Sequence, residues 1–205
     1  IGTSMKSNDV HVKVLGFGQH ASFGISNGLV TNMHDIANSI ARAVEGAETM
    51  AGFSINKVIC SLSGGRPITK IIRNNLKIDN GQVAKNDIVK IQKFNNPKLL
   101  DKYKLLSSTP IKYYIDNNIS VDNPIGMHTN NLIIDISNTY GNKAAMKNIA
   151  SAIELCHLSV EKFIISSEAS GASTMIKDER ENGATIIDLG ENLTSIGVFF
   201  NNQII

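Results

Sequence analysis

The amino-acid sequence predicts an α/β domain interrupted by a small α+β module, and three observations support this fold class. Short apolar strands alternate with amphipathic helices before residue 63, and the same alternation returns after residue 137. The stretch between them is rich in Lys, Asn and Ile and has a weaker pattern. Strands that alternate with helices place helices on both faces of a sheet, so the outer segments are interpreted as one host domain and the middle as an insertion.

Composition limits the classes of function more than it selects one. The chain has 205 residues and is 42% hydrophobic, enough to bury the core of one large or two small domains. The formal net charge is +2, and the basic residues are scattered among acids and asparagines. The sequence therefore predicts no nucleic-acid partner. Cys60 and Cys156 each lie in an apolar segment, which favours buried thiols of a cytosolic protein over a disulfide.

The first host segment is predicted to contain two strands around one long helix. Residues 10–17 alternate as a strand does, and a glycine-rich connection leads to a helix that begins at Asn32. One face of this helix carries apolar residues at helical spacing: Ile36, Ile40, Val44, Ala47 and Ala51. Gly52 stands where a left-handed C-cap is expected. The apolar run 58–62 is typical of a buried strand in a mainly parallel sheet.

The middle segment is predicted to form a strand-helix-strand-strand module. The pattern indicates a strand over 68–78, a helix over 87–94, and strands over 111–115 and 132–136. Residues 122–126 (DNPIG) predict a turn between the last two strands.

The host pattern then resumes and ends in a hairpin. We expect helices over 142–156 and 172–177, strands over 162–166, 186–190 and 195–200, a solvated charged loop over 178–181, and a hairpin turn at Asn201-Asn202.

Two stretches are candidates for phosphate binding. Gly2-Thr3-Ser4 is interpreted as a turn after a strand, where backbone and hydroxyl donors can surround a phosphate. Asp188-Leu189-Gly190 ends a strand; Asp188 can hold a metal-bound water beside a phosphate, and Gly190 admits close approach. Taken alone, the second stretch is more often a turn with a local Asx hydrogen bond. Together the two suggest phosphate-binding hairpins that face each other across a cleft.

Other motifs predict no chemistry. Gly16-Phe17-Gly18 lacks the third glycine of a dinucleotide fingerprint. The five histidines show no metal-ligand spacing, and Cys156-His157 is interpreted as the end of a core helix. No Ser/His/Asp arrangement is readable.

Several segments along the whole chain occur in an order that is informative. Ile1-Gly2-Thr3-Ser4 has the form of a phosphate hairpin, 14–18 (VLGFG) is a strand ending in Gly-x-Gly, and 28–30 and 50–52 flank the long helix. Further along are a strand end at 61–64 (SLSG), a turn at 122–127 (DNPIGM), the second host helix and next strand at 154–160, and an acidic approach to the second phosphate motif at 178–183 (DERENG). In this order the segments resemble the FtsA family of bacterial cell-division proteins.

This resemblance implies an actin/Hsp70-like (ribonuclease-H-like) fold with four parts. Residues 1–63 and 138–187 would form subdomain 1A, residues 64–137 the inserted SHS2-like module called 1C, and residues 188–205 the opening hairpin of subdomain 2A.

The resemblance also implies a function. Members of the family are cytoplasmic ATP-binding proteins that polymerise, lie on the inner membrane through a C-terminal amphipathic helix, tether FtsZ filaments there, and recruit other divisome proteins through 1C. ATP and Mg²⁺ are the implied cofactors, with Gly2, Thr3, Ser4 and Gly190 around the phosphates and Asp188 near the metal. The implied chemistry is at most slow phosphoryl transfer to water.

Several positions depart from the family pattern. The chain begins with Ile1 and lacks the family's preceding acid, so we expect residues upstream of it. The family's second half, with its adenosine-binding segment and membrane helix, would lie beyond residue 205. Glu191 stands at a family glycine, where its carboxylate would repel a phosphate. His157 replaces a helix-ending glycine, at a cost of about 1 kcal/mol if that position is left-handed.

Three alternatives stay open at this stage. A PilM-like type IV pilus assembly protein shares a similar insertion and binds a short peptide of a membrane partner. A sugar- or acetate-kinase-like enzyme shares the phosphate hairpins, although no substrate acid or base is readable here. A protein that keeps the fold and has lost the nucleotide is the third.

Overall fold

The chain divides into two compact units, each built from two separate stretches of sequence. The structure is a computed structural model that describes residues 2–6, 9–93, 101–116 and 119–205; at 2–6, 9–12 and 93 it describes the backbone alone. The first unit joins Ile1–Cys60 with Ala144–Phe163, and the second joins Ser61–Lys143 with Ile164–Ile205. The predicted boundaries of the four subdomains stay a prediction, since a division into compact units does not assign subdomains.

The elements of the first unit are two β-hairpins, a strand pair and two helices. Their bounds are β1 Gly2–Lys6, β2 Asp9–Lys13, β3 Ile25–Ser26, β4 Leu29–Val30, α1 Met33–Ala51, β5 Lys57–Leu62, α3 Lys143–Glu154 and β10 Ser159–Ile165. The last residues of β5 and β10 and the first residue of α3 are assigned to the second unit. β1 pairs with β2, β3 with β4, and β5 with β10. The predicted strand over 10–17 is thus shorter than expected and ends at Lys13.

Helix α1 has both ends that the sequence predicts. The side chain of Asn32 accepts hydrogen bonds from the backbone N–H groups of His34 and Asp35, at 3.0 and 3.2 Å, so Asn32 is the N-cap. Gly52 ends the helix with a φ of 79° and donates its N–H to the carbonyl of Glu48.

The segment before α1 lies directly against that helix. A β-carbon on Gly18 would fall 1.7 Å from the carbonyl oxygen of Ala43, and one on Gly16 would fall 2.1 Å from that of Ala47. Only glycine therefore fits at these two positions, and the glycines of this loop serve packing.

Strand β5 differs from its prediction. Its first five residues alternate between exposed and half-buried, with Ile59 63% exposed, and only Leu62 at its end is fully buried. The run therefore forms a strand as predicted, but the prediction that this strand is buried was wrong for Ile59 and the other exposed residues.

The second unit contains the predicted module as a four-stranded antiparallel sheet in the order β6-β9-β7-β8. Its elements are β6 Ile68–Lys77, α2 Lys85–Lys93, β7 Tyr103–Ile115, β8 Ile119–Val121 and β9 Asn131–Asn142. Helix α2 covers one face of the sheet, and the core consists of Ile78, Val83, Ile91, Leu132, Ile134 and Ile136. The turn predicted at 122–126 is present, with Gly126 at a φ of 85°.

Strands β7 and β9 extend beyond their predicted bounds of 111–115 and 132–136, and for β9 the structure shows the reason. Strand β9 continues past Ile136 through Ser137, Asn138 and Thr139, all of which are buried although they are polar. Ser137 donates its hydroxyl to the carbonyl of Ile204 at 2.5 Å. A hydrophobic pattern cannot indicate a strand whose buried residues are polar.

The same unit ends in two short helices and a three-stranded antiparallel sheet. These elements are α4 Ser166–Thr174, α5 Lys177–Asn182, β11 Ala184–Leu189, β12 Thr194–Phe200 and β13 Gln203–Ile204, and the sheet order is β11-β12-β13. Asn201 and Asn202 have φ of 47° and 61°, which is the hairpin turn that the sequence predicts.

The charged run at 178–181 forms helix α5, so its prediction as a loop was wrong. The Glu179 carboxylate accepts the backbone N–H of Ile176 at 3.0 Å and caps the helix. Lys177 and Glu181 form an i,i+4 ion pair at 3.3 Å. The predicted helix at 172–177 is instead divided between α4 and α5 at residues 175 and 176.

No helix in the described part of the chain is long and apolar enough to span a membrane.

Candidate phosphate hairpin and module surface

The candidate site around Asp188 is built on the β11–β12 hairpin. Asp188 faces Ser195 and Leu189 faces Thr194 across the two strands, so Gly190 begins the connection between them. Gly190 donates its N–H to the carbonyl oxygen of Leu193 at 3.0 Å, and a β-carbon on Gly190 would lie 2.8 Å from that oxygen. The predicted strand-to-turn junction is therefore where the sequence places it, and its glycine closes the turn.

Two glycines let helix α4 pack closely against this hairpin. A β-carbon on Gly171 would lie 2.3 Å from Cζ of Phe199, and one on Gly197 would lie 2.9 Å from Cβ of Ser167. Neither glycine was recognised from the sequence, because their role depends on a helix and a strand that are distant along the chain. Their contact fixes which residues of α4 lie beside Asp188.

The residue that α4 brings to Asp188 is Ser170. Its hydroxyl lies 3.5 Å from Oδ2 of Asp188, at the long limit of a hydrogen bond, and the Asp188 side chain is exposed. Sequence reasoning missed Ser170; the only signal for it is the run of small residues and serines at 166–173.

Asp188 and Ser170 do not form a metal site by themselves. No group of three or more His, Cys, Asp or Glu side chains is arranged to hold a metal among the residues whose side chains are described. Mg²⁺ is commonly held by one or two carboxylates together with waters and the phosphates of a substrate. The donors present therefore suit a metal only when a phosphate accompanies it.

The turn itself does not fit a phosphate in this conformation. The N–H of Gly190 is bonded to Leu193 within the turn, so it does not point to a ligand. The next residue, Glu191, has an exposed side chain that would bring a carboxylate to the same place. That Glu191 weakens phosphate binding at this motif stays a prediction.

The first candidate motif lies in a strand, so its interpretation as a turn was wrong. Gly2, Thr3 and Ser4 belong to β1, and Gly2 pairs with Lys13 and Ser4 with His11. Their backbones belong to the first compact unit, whereas Asp188 and Gly190 belong to the second. That the two motifs bind a phosphate together stays a prediction.

A polar network that sequence reasoning missed lies on the face of the module sheet opposite α2. Asp135 in β9 accepts two hydrogen bonds of 2.7 Å from Nε and Nη2 of Arg73, its partner in β6. It also accepts the hydroxyl of Tyr114 in β7 at 3.1 Å, and the Arg73 guanidinium lies 4.9 Å from the centre of the Tyr114 ring. One carboxylate thus links three neighbouring strands.

The network shifts the pKa values of its members. The hydrogen bonds from Arg73 lower the pKa of Asp135, and its hydrogen bond from Tyr114 contributes in the same direction. Burial raises the pKa of Tyr114, and the hydrogen bond to Asp135 raises it further. Asp135 is therefore ionised at neutral pH and joins Arg73 and Tyr114 into one hydrogen-bonded group.

Known proteins resemble this chain in sequence over nearly its whole length. It is 28% identical over 195 residues to cell division protein FtsA of Rhizobium meliloti (strain 1021), which covers 95% of this chain and 44% of that protein. For FtsA of Neisseria meningitidis serogroup B the identity is 30% over 198 residues, covering 96% of this chain and 48% of that protein. For FtsA of Escherichia coli (strain K12) it is 27% over 192 residues, covering 93% and 46%. The chain spans about half the length of the curated relatives it matches.

The fold comparison agrees with this similarity. A solved structure of the PilM-PilN type IV pilus biogenesis complex matches with a TM-score of 0.57 at 12% identity, covering 99% of this chain and 55% of that one. At this identity the match concerns the fold alone. No protein-family profile matches the chain. The predicted fold class, α/β and actin-like, is confirmed, and so is the resemblance inferred from the motifs: this chain is similar along 93–96% of its length to proteins named cell division protein FtsA.

Proposed function

We propose that this chain is part of an actin-like bacterial cell-division protein and that it acts as a scaffold. The observation that carries the proposal is the similarity to FtsA proteins, at 27–30% identity over 93–96% of the chain. The second support is the fold, since the neighbouring structure matches 99% of the chain.

In this proposal the longer protein binds FtsZ filaments, associates with itself into filaments, and lies on the cytoplasmic side of the inner membrane at the division site. The module of residues 64–137 recruits further division proteins. Its compact sheet supports this role, because one face packs on α2 while the other carries the Arg73–Asp135–Tyr114 group at the surface.

The experiment is co-sedimentation of the longer protein that contains this chain with FtsZ polymers and with vesicles of bacterial phospholipids. We expect the protein in the pellet when polymers and vesicles are both present, and in the supernatant when FtsZ is omitted and the vesicles are replaced by buffer. A second measurement depletes the protein in its source bacterium, where a division block and elongated cells are expected. Normal division after depletion, together with no FtsZ binding, would overturn the proposal.

A PilM-like role is the second candidate, and the fold match is the observation that favours it. It predicts that the protein binds a short peptide of a membrane partner and that depletion removes surface pili while division continues. The same depletion strain therefore separates the two candidates.

For nucleotide we propose that this chain alone does not bind Mg·ATP, because the Gly190 N–H is used within its own turn and Glu191 adds a negative charge. In the longer protein, ATP and Mg²⁺ would be held with Asp188 near the metal, in a conformation of the turn that releases the Gly190 N–H from Leu193. Calorimetric titration of Mg·ATP into both proteins tests this, with Asp188→Ala as the variant and Asp101→Ala, another exposed aspartate of the second unit, as its control. Binding that is lost in Asp188→Ala alone supports the proposed role of Asp188, and tight binding by the short chain contradicts the proposal.

A further inference from the structure

The outer edge of β6 is a long, regular strand edge. β6 forms ten consecutive pairs with β9, from Ile68↔Tyr140 to Lys77↔Asn131, without a register shift. On its other side β6 pairs with no strand of the described residues. Ten residues extend about 33 Å, and such an edge presents a row of backbone donors and acceptors to any strand that approaches.

The opposite edge of the same sheet is blocked. Strand β7 contains Pro110 and has two register shifts against β9, between Leu105 and Ser107 and between Pro110 and Lys112. Its outer side is partly covered by the short β8, and the side chain of Asn201 donates to the carbonyl of Ile111 at 3.1 Å. Proline, bulges and covering groups are the features that prevent strand addition. β6 has no proline and no bulge, so a further strand can pair with the β6 edge, whereas the β7 edge hinders such pairing.

The β6 edge is also positively charged. Residues 66–78 contain Arg66, Lys70, Arg73 and Lys77 and no acidic residue. Asp135 neutralises Arg73, whereas Lys70 and Lys77 are exposed and form no ion pair with the described residues. Ile71, which is 54% exposed, follows Lys70, faces the other side of the sheet and offers an apolar contact.

We propose that the outer edge of β6 binds an extended, acidic segment of a partner protein as a fifth strand of the module sheet. Backbone hydrogen bonds along 68–77 supply the general affinity, and carboxylates beside Lys70 and Lys77 select an acidic sequence. The inference does not depend on a role in cell division, since it rests on the edge and its charges alone.

A second copy of this chain fits the same edge less well. Pairing two β6 edges would bring two identical sets of cations, without a compensating acid on either strand, to a strand spacing of about 4.8 Å. Like charges at this distance destabilise strand pairing.

The test measures the affinity of the 205-residue chain for two synthetic peptides. The first is a capped ten-residue peptide in which two glutamates follow each valine, so that carboxylates lie on both faces of the added strand, as Lys70 and Lys77 do on β6. The second peptide replaces each glutamate by lysine. Fluorescence anisotropy at low salt is expected to show saturable binding of the acidic peptide and none of the basic one. The double variant Lys70→Glu/Lys77→Glu should weaken binding at least about tenfold, which corresponds to about 1.4 kcal/mol. The control Lys57→Glu/Lys162→Glu changes two exposed lysines of β5 and β10 and should leave the affinity unchanged.

Amide hydrogen exchange locates the bound strand. With the acidic peptide, we expect new protection at alternate amides of 68–77 and none in 103–112. Equal binding by both double variants, or protection at the β7 edge instead, would overturn the proposal. Concentration-dependent self-association that protects 68–77 without any peptide would overturn it too, because the occupant would then be a second copy.

Discussion

Gly171 of helix α4 lies directly against the ring of Phe199 in strand β12. A β-carbon at residue 171 would stand 2.3 Å from Cζ and 2.4 Å from Cε2 of that ring, far inside van der Waals contact. Phe199 is 3% exposed and belongs to a core cluster with Ile165 and Ile204. The absence of one side chain therefore sets the distance between α4 and the hairpin that carries Asp188.

Replacing this glycine is expected to destabilise the second unit. Gly171→Ala overpacks a filled contact, which costs about 1–3 kcal/mol, although alanine by itself favours a helix over glycine by about 1 kcal/mol. Urea denaturation should thus show a lower free energy of unfolding. Gly46→Ala is the matched control, since Gly46 also lies inside a helix and its nearest contact to a new β-carbon is 3.4 Å. Gly46→Ala should be neutral or stabilising, and equal stability of both variants would show that α4 moves to accept the methyl group.

Replacing His157 by glycine is expected to stabilise the protein, the opposite effect to Gly171→Ala. The φ of His157 is 60°, so the position is left-handed, which is the condition under which the sequence predicts a cost of histidine there. His157→Gly should raise the free energy of unfolding by about 1 kcal/mol, because glycine adopts this conformation without strain. Gly52→Ala places a side chain at a φ of 79° with no atom within 4 Å, and it should lose a similar amount. If neither variant changes the denaturation midpoint, these two helix ends are not strained.

The Asp135 network predicts a dependence of stability on acid. Hydrogen bonds from Arg73 lower the pKa of Asp135 below its ordinary value of 3.8. A carboxyl group whose pKa is lower in the folded state stabilises the fold above the unfolded pKa, and this stabilisation is lost as the pH falls through the folded pKa. Asp135→Asn should therefore be less stable than the parent at pH 7, and the difference should shrink below about pH 4.

The control for that experiment is Asp101→Asn, which changes an exposed aspartate that forms no ion pair with the residues described by the structure. Thermal melts of both variants at pH 7, 5, 4 and 3 give the comparison. A constant difference between Asp135→Asn and the parent at every pH would mean that the carboxylate charge does not stabilise the sheet.

The two cysteines are expected to react slowly with alkylating agents. Neither forms a disulfide, in agreement with the sequence prediction, and both are half-buried. Burial raises the pKa of each thiol above its ordinary value of 9.0, and Sγ of Cys156 donates to the carbonyl of Ala37 at 3.2 Å. Since the thiolate is the reactive form, alkylation at pH 8 should be slower than that of a small free thiol and should rise above pH 9. The variants Cys60→Ser and Cys156→Ser assign each rate, and a rate equal to that of glutathione at pH 8 would contradict the prediction.

Local sequence signals predicted where helix α1 begins and ends and where the chain turns. Asn32 and Gly52 mark the ends of α1, and Asn201-Asn202 marks the last turn, because caps and turns depend on the conformations that a few adjacent residues prefer. The hydrophobic pattern located β6, α2, α3 and β12 within a few residues. It failed where burial is polar, as in β9 beyond Ile136, and where charges pair along a helix, as in α5.

The candidate site was predicted only in part. Asp188 and Gly190 were placed correctly at a strand end and its turn, since a period of two followed by Asp and Gly is a local pattern. Ser170 was missed, because it reaches Asp188 only through the packing of α4 on β12. The interpretation of Gly2, Thr3 and Ser4 as a turn was wrong, since pairing with β2 holds them in a strand.

By itself, the sequence determined the alternation of strands and helices around an inserted module, the two ends of α1, the turns at 122–126 and Asn201-Asn202, and the resemblance to FtsA, all of which depend on residues that are neighbours in the chain. Tertiary structure alone decided how closely α4 approaches β12, that Arg73 and Tyr114 share the carboxylate of Asp135, and that β6 is left as the regular edge of its sheet. The physical reason is that strand order and close packing join residues that are tens of positions apart, such as Arg73 and Asp135, and no local preference of the chain encodes which distant partner a residue meets.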